Sequence, residues 1–272
     1  MNKYSEPLSK VLSSVSPMVS IVMAAYNSEK FIRKTIESFQ KDKFRDFEII
    51  VVNDASTDNT EKIVREIFRE DQRIRLINLK NNSGSANARN WGIENARGEY
   101  VCYFDSDDIH LPGRFEKQIG FLEKNPEVGF VYSDQINRWS DGKTLKVSAV
   151  DFKEDPYKIL KRASNLKNFD HIRGPAKLLD PEKWIPGASV LWRRKLNDRF
   201  VFDKEIKRFE DYDFWLTLIG NKIKCVRVPC YSFIYIQHPQ QKSRNRQNEE
   251  TRMEYNKKII LKLREGKYFS KS

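Results

Sequence analysis

The chain has 272 residues, 39% hydrophobic and 32% charged, which is enough apolar material for one large α/β domain and too much for a disordered chain. No apolar run approaches the roughly 18 residues of a membrane span, the Ser-rich stretch Met1 to Pro17 has no apolar core of a signal peptide, and Cys102, Cys225 and Cys230 lack metal-ligand spacing. A reducing, cytoplasmic setting is expected. The formal net charge of +12 calls for an anionic partner: nucleic acid, an anionic membrane surface or a phosphorylated substrate. No RNP sequence, zinc finger or basic zipper is present, so no nucleic-acid partner is expected.

Met18 to Ala24 reads as the first strand. It ends in Ala25-Tyr26-Asn27-Ser28, where Asn27 or Ser28 would cap a helix with an apolar stripe at Ile32, Thr35, Ile36 and Phe39. Phe47 to Val52 is continuously apolar, as in a strand covered on both faces, and ends in Asn53-Asp54. Asp58 with Glu61 resembles a capping box, and the helix that follows would point Ile63, Val64, Ile67 and Phe68 inward. Arg73 to Leu79 reads as a third strand. The small-residue loop Asn81 to Asn90 opens into a helix; such a loop lets the backbone approach a ligand, and a helix N-terminus favours anions.

The next apolar run, Tyr100 to Phe104, stops at three carboxylates, Asp105, Asp107 and Asp108. Asp-x-Asp on an extended segment can offer two oxygens to one hard divalent cation. It is not an EF-hand loop, because Ile109 and Leu111 occupy positions that such a loop needs for ligands and a turn. Leu111-Pro112 would open a helix to about Asn125, and Val128 to Ser133 a further strand. The alternation over 18–134 argues a mostly parallel sheet with helices on both faces. Parallel strands bring their carboxyl ends to one edge, so Tyr26/Asn27, Asp54 and Asp105–Asp108 should share one crevice.

From about Gln135 to Pro186 the alternation gives way to prolines, polar residues and the aromatics Trp139, Phe152, Tyr157, Phe169 and Trp184. Gly187 to Trp192 reads as a strand. Phe209 to Leu218 reads as a helix whose acidic first turn, with Glu210, Asp211 and Asp213, suits the helix dipole. Ile223 to Val228 and Tyr231 to Ile236 read as two strands around Pro229. His238 to Arg244 reads as a polar loop, and the chain from Asn248 as a basic helix with Met253, Ile259, Ile260 and Leu263. The expected organisation is a polar tail at 1–17, an α/β part at 18–134, a less regular part at 135–237, and a basic loop and helix at 238–272.

The chain resembles the inverting nucleotide-sugar glycosyltransferases of family 2, which have the GT-A fold. The matching stretches run in the family's order: Val-Ser-Ile-Val-Met-Ala-Ala-Tyr-Asn at 19–27, Val-Val-Asn-Asp-Ala-Ser-Thr-Asp at 51–58, Asn-Ser-Gly-Ser-Ala-Asn-Ala-Arg-Asn at 82–90, Gly-Glu-Tyr-Val-Cys-Tyr-Phe-Asp-Ser-Asp-Asp at 98–108 and Phe-Glu-Asp-Tyr-Asp-Phe-Trp at 209–215. The resemblance implies that 18–134 binds a nucleotide-sugar donor, UDP-linked, through Ala24, Tyr26, Asn27, Asp54, Arg89, Asp105, Ser106 and Asp107, and that 135–237 binds the acceptor and carries the catalytic base. Asp54 would accept from the uracil N–H, Arg89 would contact the base, and Asp105 would hold ribose or sugar. Asp107 would bind Mn²⁺ or Mg²⁺ on the diphosphate, and Asp211 would be the catalytic base. Asn53 stands where the family usually has Asp, and Ala24-Ala25 where it often has Pro or Thr.

The chemistry of inversion asks for the same parts. A base must take the acceptor hydroxyl proton as that oxygen attacks the anomeric carbon, and a cation must neutralise the departing diphosphate. Bland alternatives stand beside these roles. Asp105 and Asp107 could cap a strand-end turn, and Asp211 could simply favour the dipole, with Glu210 and Asp213 as fallback bases. His238 before Pro239 reads first as a surface histidine, with a metal-ligand role as its alternative. Lys242 and Arg244 could close over the diphosphate or be solvated. Trp139, Trp184, Trp192 and Trp215 read as core rather than sugar platforms. The basic C-terminal helix could lie on an anionic leaflet or be a plain surface helix. The acceptor is expected to be a glycan or glycolipid hydroxyl at the cytoplasmic membrane face. The other function classes are a nucleotidyltransferase, which the absence of a Gly-rich, Lys-bearing N-terminal loop disfavours, and a basic nucleic-acid-binding protein.

Overall fold

In the structure, a computed structural model, residues 16–165, 184–238, 241 and 249–270 are described. Nine strands form one sheet: β1 (Val19–Ala25), β2 (Phe47–Asn53), β3 (Ile74–Asn78), β4 (Tyr100–Tyr103), β5 (Ile109–His110), β6 (Val128–Trp139), β7 (Thr144–Val147), β8 (Leu191–Arg193) and β9 (Lys224–Gln237). Their order is β3-β2-β1-β4-β8-β6-β9-β5, with β7 paired to β6. The strands β3, β2, β1 and β4 are parallel to one another. The short β8 runs against both β4 and β6, so β6 and its parallel partner β9 point the same way as β1. The α-helices of the described residues are α1 (Ile32–Gln40), α2 (Thr60–Glu70), α3 (Ser85–Glu94), α4 (Arg114–Lys124), α5 (Pro156–Ser164), α6 (Glu210–Gly220) and α7 (Glu249–Arg264).

Period-two alternation in β1 sorts its side chains between two apolar layers. Val19, Ile21 and Met23 pack with Ile36 and Phe39 of α1 and Phe115 and Leu122 of α4. Val22 faces the other layer, which holds Phe214 and Trp215 of α6 and Ile259 and Leu263 of α7. Both faces of the sheet are therefore covered, as the continuous apolar reading of β2 requires. Trp192 and Trp215 are fully buried in this second layer, as core aromatics.

Several local expectations are corrected. Phe68 is 40% exposed, because Thr60, Val64 and Ile67 already supply the stripe that α2 needs at the sheet's edge. Asp58 makes no box with Glu61: it accepts from the Thr60 amide and hydroxyl and from the Glu29 amide, while Glu61 accepts from Arg65 and Asn78. Leu111-Pro112 does not open α4, which begins after Gly113 (φ 81°), since residues 109–110 pair with β9 first. Gly187–Trp192 is split into a 3-10 turn, Gly187–Ser189, and the strand β8. The two strands expected around Pro229 are one, β9, with a register shift where Pro229 has no N–H to give.

The C-terminal helix α7 is also placed differently. Tyr255, Ile259, Ile260 and Leu263 are buried in the second layer, while Met253 is 55% exposed. Lys262 Nζ and the Tyr268 hydroxyl both donate to Asp213 Oδ1, at 2.6 and 2.5 Å, which ties the C-terminal segment to α6. The apolar face of α7 is thus spent on the core rather than offered to a leaflet. Among the described residues no helix is long and apolar enough to cross a membrane. Phe169, Lys242 and Arg244 lie outside the described residues.

One buried polar pair pins α1 to β5. His110 Nε2 lies 2.6 Å from Asp42 Oδ2, and its ring stacks on Phe39 at 4.3 Å. Burial pushes the His110 imidazole down to about 4, despite the Asp42 carboxylate beside it. The unfolded chain takes up this proton near 6.5 and the folded one only near 4, so stability is full above pH 6.5 and falls between those values. Urea denaturation at pH 7.5 and pH 4.5 should differ by about 3 kcal/mol through this group, and His110→Gln should flatten that part of the profile.

Candidate active site

A cleft of about 680 Å³ opens at the carboxyl edge of the sheet. Ala24, Tyr26 and Asn27 reach it from the end of β1, Arg89 from α3, Asp105, Ser106 and Asp107 from beyond β4, Asp211 from α6 and His238 from beyond β9. The parallel register sets this convergence. Ala25 pairs with Asn53 and Val22 with Tyr103, so the loops after β1, β2 and β4 leave the sheet along one edge.

The donor side is built on hydrogen bonds between those loops. Asn27, with φ 50°, accepts from the Thr57 amide at 2.9 Å and donates its own amide to Ser56 Oγ at 3.0 Å, leaving Tyr26 51% exposed above them. Ser28 Oγ and Ser106 Oγ are 2.8 Å apart, and Thr35 Oγ1 lies 2.9 and 2.8 Å from the Ser106 and Asp108 carbonyl oxygens. The first turn of α1 thereby holds the Asp-Ser-Asp loop. Asp54 departs from its expected place. It is 4% exposed and its carboxylate accepts from the Ser83 amide, the Ser83 hydroxyl and the Gly84 amide at 2.8–2.9 Å. It shapes the small-residue loop ahead of α3 and is not among the cleft's lining residues, so its direct bond to a base is not what this geometry offers.

Asp107 Oδ2 lies 3.0 Å from His238 Nε2, and the imidazole stacks on Phe31 at 4.4 Å. The histidine is therefore a cleft residue rather than a surface one, and its buried Nδ1 has no hydrogen-bond partner among the described residues. Burial, then the neighbouring Asp105, raise the Asp107 carboxyl, against the His238 bond. Asp108 is fully buried; burial and then Asp107 and Asp105 push its carboxyl well above the ordinary range. Its Oδ1 accepts from the Ile236 amide at 3.0 Å, which fastens β9, and with it His238, to the Asp-Ser-Asp loop.

Among the described residues no cluster of three or more His, Cys, Asp or Glu side chains could cage a metal alone. One carboxylate with an imidazole is nevertheless the sparse donor set that Mg²⁺ or Mn²⁺ uses when substrate phosphates complete the shell. His238 Nε2 and Asp107 Oδ2, which face each other at 3.0 Å, would be the two protein donors to such an ion.

The other wall belongs to α6. Phe209, in the left-handed region at φ 61°, turns the chain into the helix so that Glu210 and Asp211 face the cleft. Arg89, nearly fully buried, bridges the two walls: Nη1 donates to Glu210 Oε1 and Nη2 to Asp105 Oδ1, each at 3.0 Å, and its guanidinium lies 3.8 Å over the Tyr103 ring. This commits Arg89 to the protein's own carboxylates, where the resemblance implied contact with a base. Ser85 Oγ donates to the same Glu210 oxygen at 2.5 Å. Asp211 Oδ2 accepts from the Tyr103 hydroxyl at 3.2 Å, and Oδ1 from the Tyr212 amide at 2.8 Å. Burial and then the Glu210 carboxylate push Asp211 up to about 6, against the pull of Arg89. Tyr103 and Gly187 carry no polar signal at their positions, and the role of Glu210 as the partner of Arg89, 121 residues away, has none in the local pattern.

The family described as Glycosyl transferase family 2 matches residues 20–180. The chain belongs to it. The Methanocaldococcus jannaschii protein MJ1057, named an uncharacterized glycosyltransferase, is 33% identical over 210 residues, covering 76% of this chain and 67% of that one. S. aureus TarS 1-349 in complex with UDP-GlcNAc superposes with a TM-score of 0.61 at 20% identity, over 89% of this chain and 66% of that chain. The mannosyltransferase PcManGT from Pyrobaculum calidifontis, in complex with GDP-Man and Mn²⁺, gives 0.61 at 18% identity, over 95% and 66%. This family 2 chain thus has the GT-A fold and spans about two thirds of the length of each of the three proteins.

The two neighbouring aspartates should separate cleanly. Asp108→Asn keeps the acceptor for Ile236 and should leave Mn²⁺-dependent UDP binding within about twofold, whereas Asp107→Asn should weaken it by about tenfold or more, as read by calorimetry with and without the ion.

Proposed function

We propose that the protein transfers a single sugar from a UDP-linked donor to a hydroxyl acceptor with inversion, using a divalent cation. The observation that carries this reading is the placement of Asp211, a buried carboxyl pushed up to about 6, in the same cleft as Asp105, Asp107 and His238. A general base works best with its pKa near the operating pH, and burial beside Glu210 moves Asp211 toward it. The donor would lie along the ends of β1 and β4, with the exposed Tyr26 ring against the base and Asp105 at ribose or sugar. Asp107 and His238 would hold Mn²⁺ or Mg²⁺, and the ion supplies charge neutralisation for the departing diphosphate.

In the transfer step the acceptor oxygen forms a bond to the anomeric carbon as the bond from that carbon to the diphosphate oxygen breaks. The acceptor proton passes to Asp211, the electron pair leaves with UDP, and attack from the face opposite the leaving group inverts the centre. The donor in the TarS complex and the ion in the PcManGT complex support the donor class and the cation. The net charge of +12 suits an acceptor presented at an anionic membrane face, a growing or lipid-linked glycan. The cytoplasmic location belongs to the same reading.

Screening UDP- and GDP-sugars for Mn²⁺-dependent hydrolysis tests the donor; preference for a GDP-sugar would overturn the UDP assignment. Asp211→Asn should keep UDP binding and lose about a thousandfold in turnover. Since the base must be deprotonated, wild-type turnover should rise with pH through about 6 and level off above it. Full transfer by Asp211→Asn would assign the proton to another group.

A further inference from the structure

Tyr103 is the last residue of β4, in a run that reads as plain core, yet its hydroxyl ends in the cleft. The ring is 2% exposed and is held by three neighbours: the Arg89 guanidinium at 3.8 Å, the Trp215 ring stacked at 6.2 Å and 8°, and the Phe202 edge at 6.0 Å. Burial, and then the nearby Asp211, raise the phenol far above its ordinary range, so it acts as a donor. Its O–H donates to Asp211 Oδ2 at 3.2 Å while the Tyr212 amide takes Oδ1 at 2.8 Å. An ionised carboxylate has about four lone-pair sites. One donor on each oxygen fixes the plane of the group and leaves the remaining sites for an incoming hydroxyl.

The space for the Tyr103 hydroxyl comes from Gly187. A Cβ at this position would stand 1.7 Å from the Tyr103 hydroxyl oxygen, 2.9 Å from its Cζ and 2.8 Å from Asp211 Oδ2. The backbone there cannot simply recede. Arg114 Nη1 donates to the Ala188 carbonyl and Gln118 Nε2 to the Ser189 carbonyl, both at 2.7 Å from fully buried side chains of α4, and Ser189 Oγ donates to the Pro186 carbonyl at 2.6 Å. The turn is thus built from outside the site, with its one side-chain-free residue against the base.

We propose that Tyr103 is a positioning residue for the base, its hydroxyl holding Oδ2 of Asp211 in the attacking geometry, and that position 187 is glycine to admit that hydroxyl. This rests on the reading of Asp211 as the base. The charged groups that face Asp211 are Glu210 on its own helix, Arg89 from α3 and Asp105 from beyond β4, with Arg208 lining the same cleft. Tyr103→Phe changes none of them and keeps almost the same volume.

The assay is Mn²⁺-dependent UDP release from whichever of UDP-glucose, UDP-galactose and their N-acetylamino forms is hydrolysed fastest, with UDP affinity measured by calorimetry. Tyr103→Phe should lower kcat about tenfold, the loss expected for one hydrogen bond to a charged group, with donor KM and UDP affinity within about twofold. The acid limb of kcat should move upward from about 6, because the charged carboxylate has lost a donor. Gly187→Ala should cost more than Tyr103→Phe, and adding Tyr103→Phe to Gly187→Ala should recover activity toward the Tyr103→Phe level. Wild-type kcat and an unmoved acid limb in Tyr103→Phe, alongside an inactive Asp211→Asn, would overturn this proposal alone. Strictly additive losses in the Gly187/Tyr103 pair would overturn the role of the glycine. Full turnover by Asp211→Asn, or hydrolysis of none of these donors, would overturn the base or donor reading and this proposal with it.

Discussion

One buried guanidinium sets the geometry of the cleft. Arg89 reaches Asp105 across 16 residues of chain and Glu210 across 121, and lies over the Tyr103 ring between them. Burial works against its charge, but the surrounding Tyr103, Glu210, Asp105 and Asp211 hold it more firmly protonated than usual. Without this cation, carboxylates at the ends of β4 and α6 would face each other in a low-dielectric cleft, where like charges repel strongly. An ion pair buried this deeply adds little net stability, because desolvation offsets much of the attraction. What it fixes is distance: Arg89 donates to Glu210 and Asp105 at once, which holds α6, and Asp211 with it, beside the end of β4.

That constraint orders the carboxylates by environment. Asp108, sealed under β9, has its carboxyl raised by burial and fastens the Ile236 amide. Asp107 faces His238. Asp105 and Glu210 are satisfied by Arg89. Among the described residues the two oxygens of Asp211 take a phenol and an amide, and its charge is opposed first by burial and then by Glu210. Similar side chains thus acquire different proton affinities from their positions along one buried network, which is the condition for dividing labour among them.

Local pattern made much of this legible, and distance hid the rest. The strands β1, β2 and β4 announced themselves as apolar runs ending in Asn, Asp or Asp-x-Asp, and parallel pairing turned three such ends into one edge. The stripe of α1 is buried at the four positions that its spacing indicates. The failures share a cause. Asp54 has the look of a ligand because a carboxylate at a strand end usually faces solvent or substrate, but here the Ser83–Gly84 amides claim it from 29 residues on. His238 was read as a surface group because nothing near it in sequence shows that β9 runs beside Asp108. Tyr103 was hidden by its strand, where an aromatic is ordinarily core, and Gly187 by a strand reading that the 3-10 turn replaces. The C-terminal helix leaves a leaflet and a plain surface role both open in sequence, because its partner, Asp213, lies 49 residues before Lys262.

The charge distribution adds a last step. The chain as a whole carries +12, but the cleft is lined by Asp105, Asp107, Glu210 and Asp211 against Arg89 and Arg208. A basic exterior draws an anionic donor to the molecule, while an acidic cleft resists a bare diphosphate. On the reading proposed above, these opposing tendencies are reconciled when the donor arrives with a cation, which lets Asp107 and the diphosphate share one positive centre. On that reading the acidic cleft discriminates against free nucleotide without the ion, while burial first and the Glu210 carboxylate second bring Asp211 toward the pH at which it can take a proton. The need for a cation and the strength of the base would then both follow from carboxylates buried together around a single arginine.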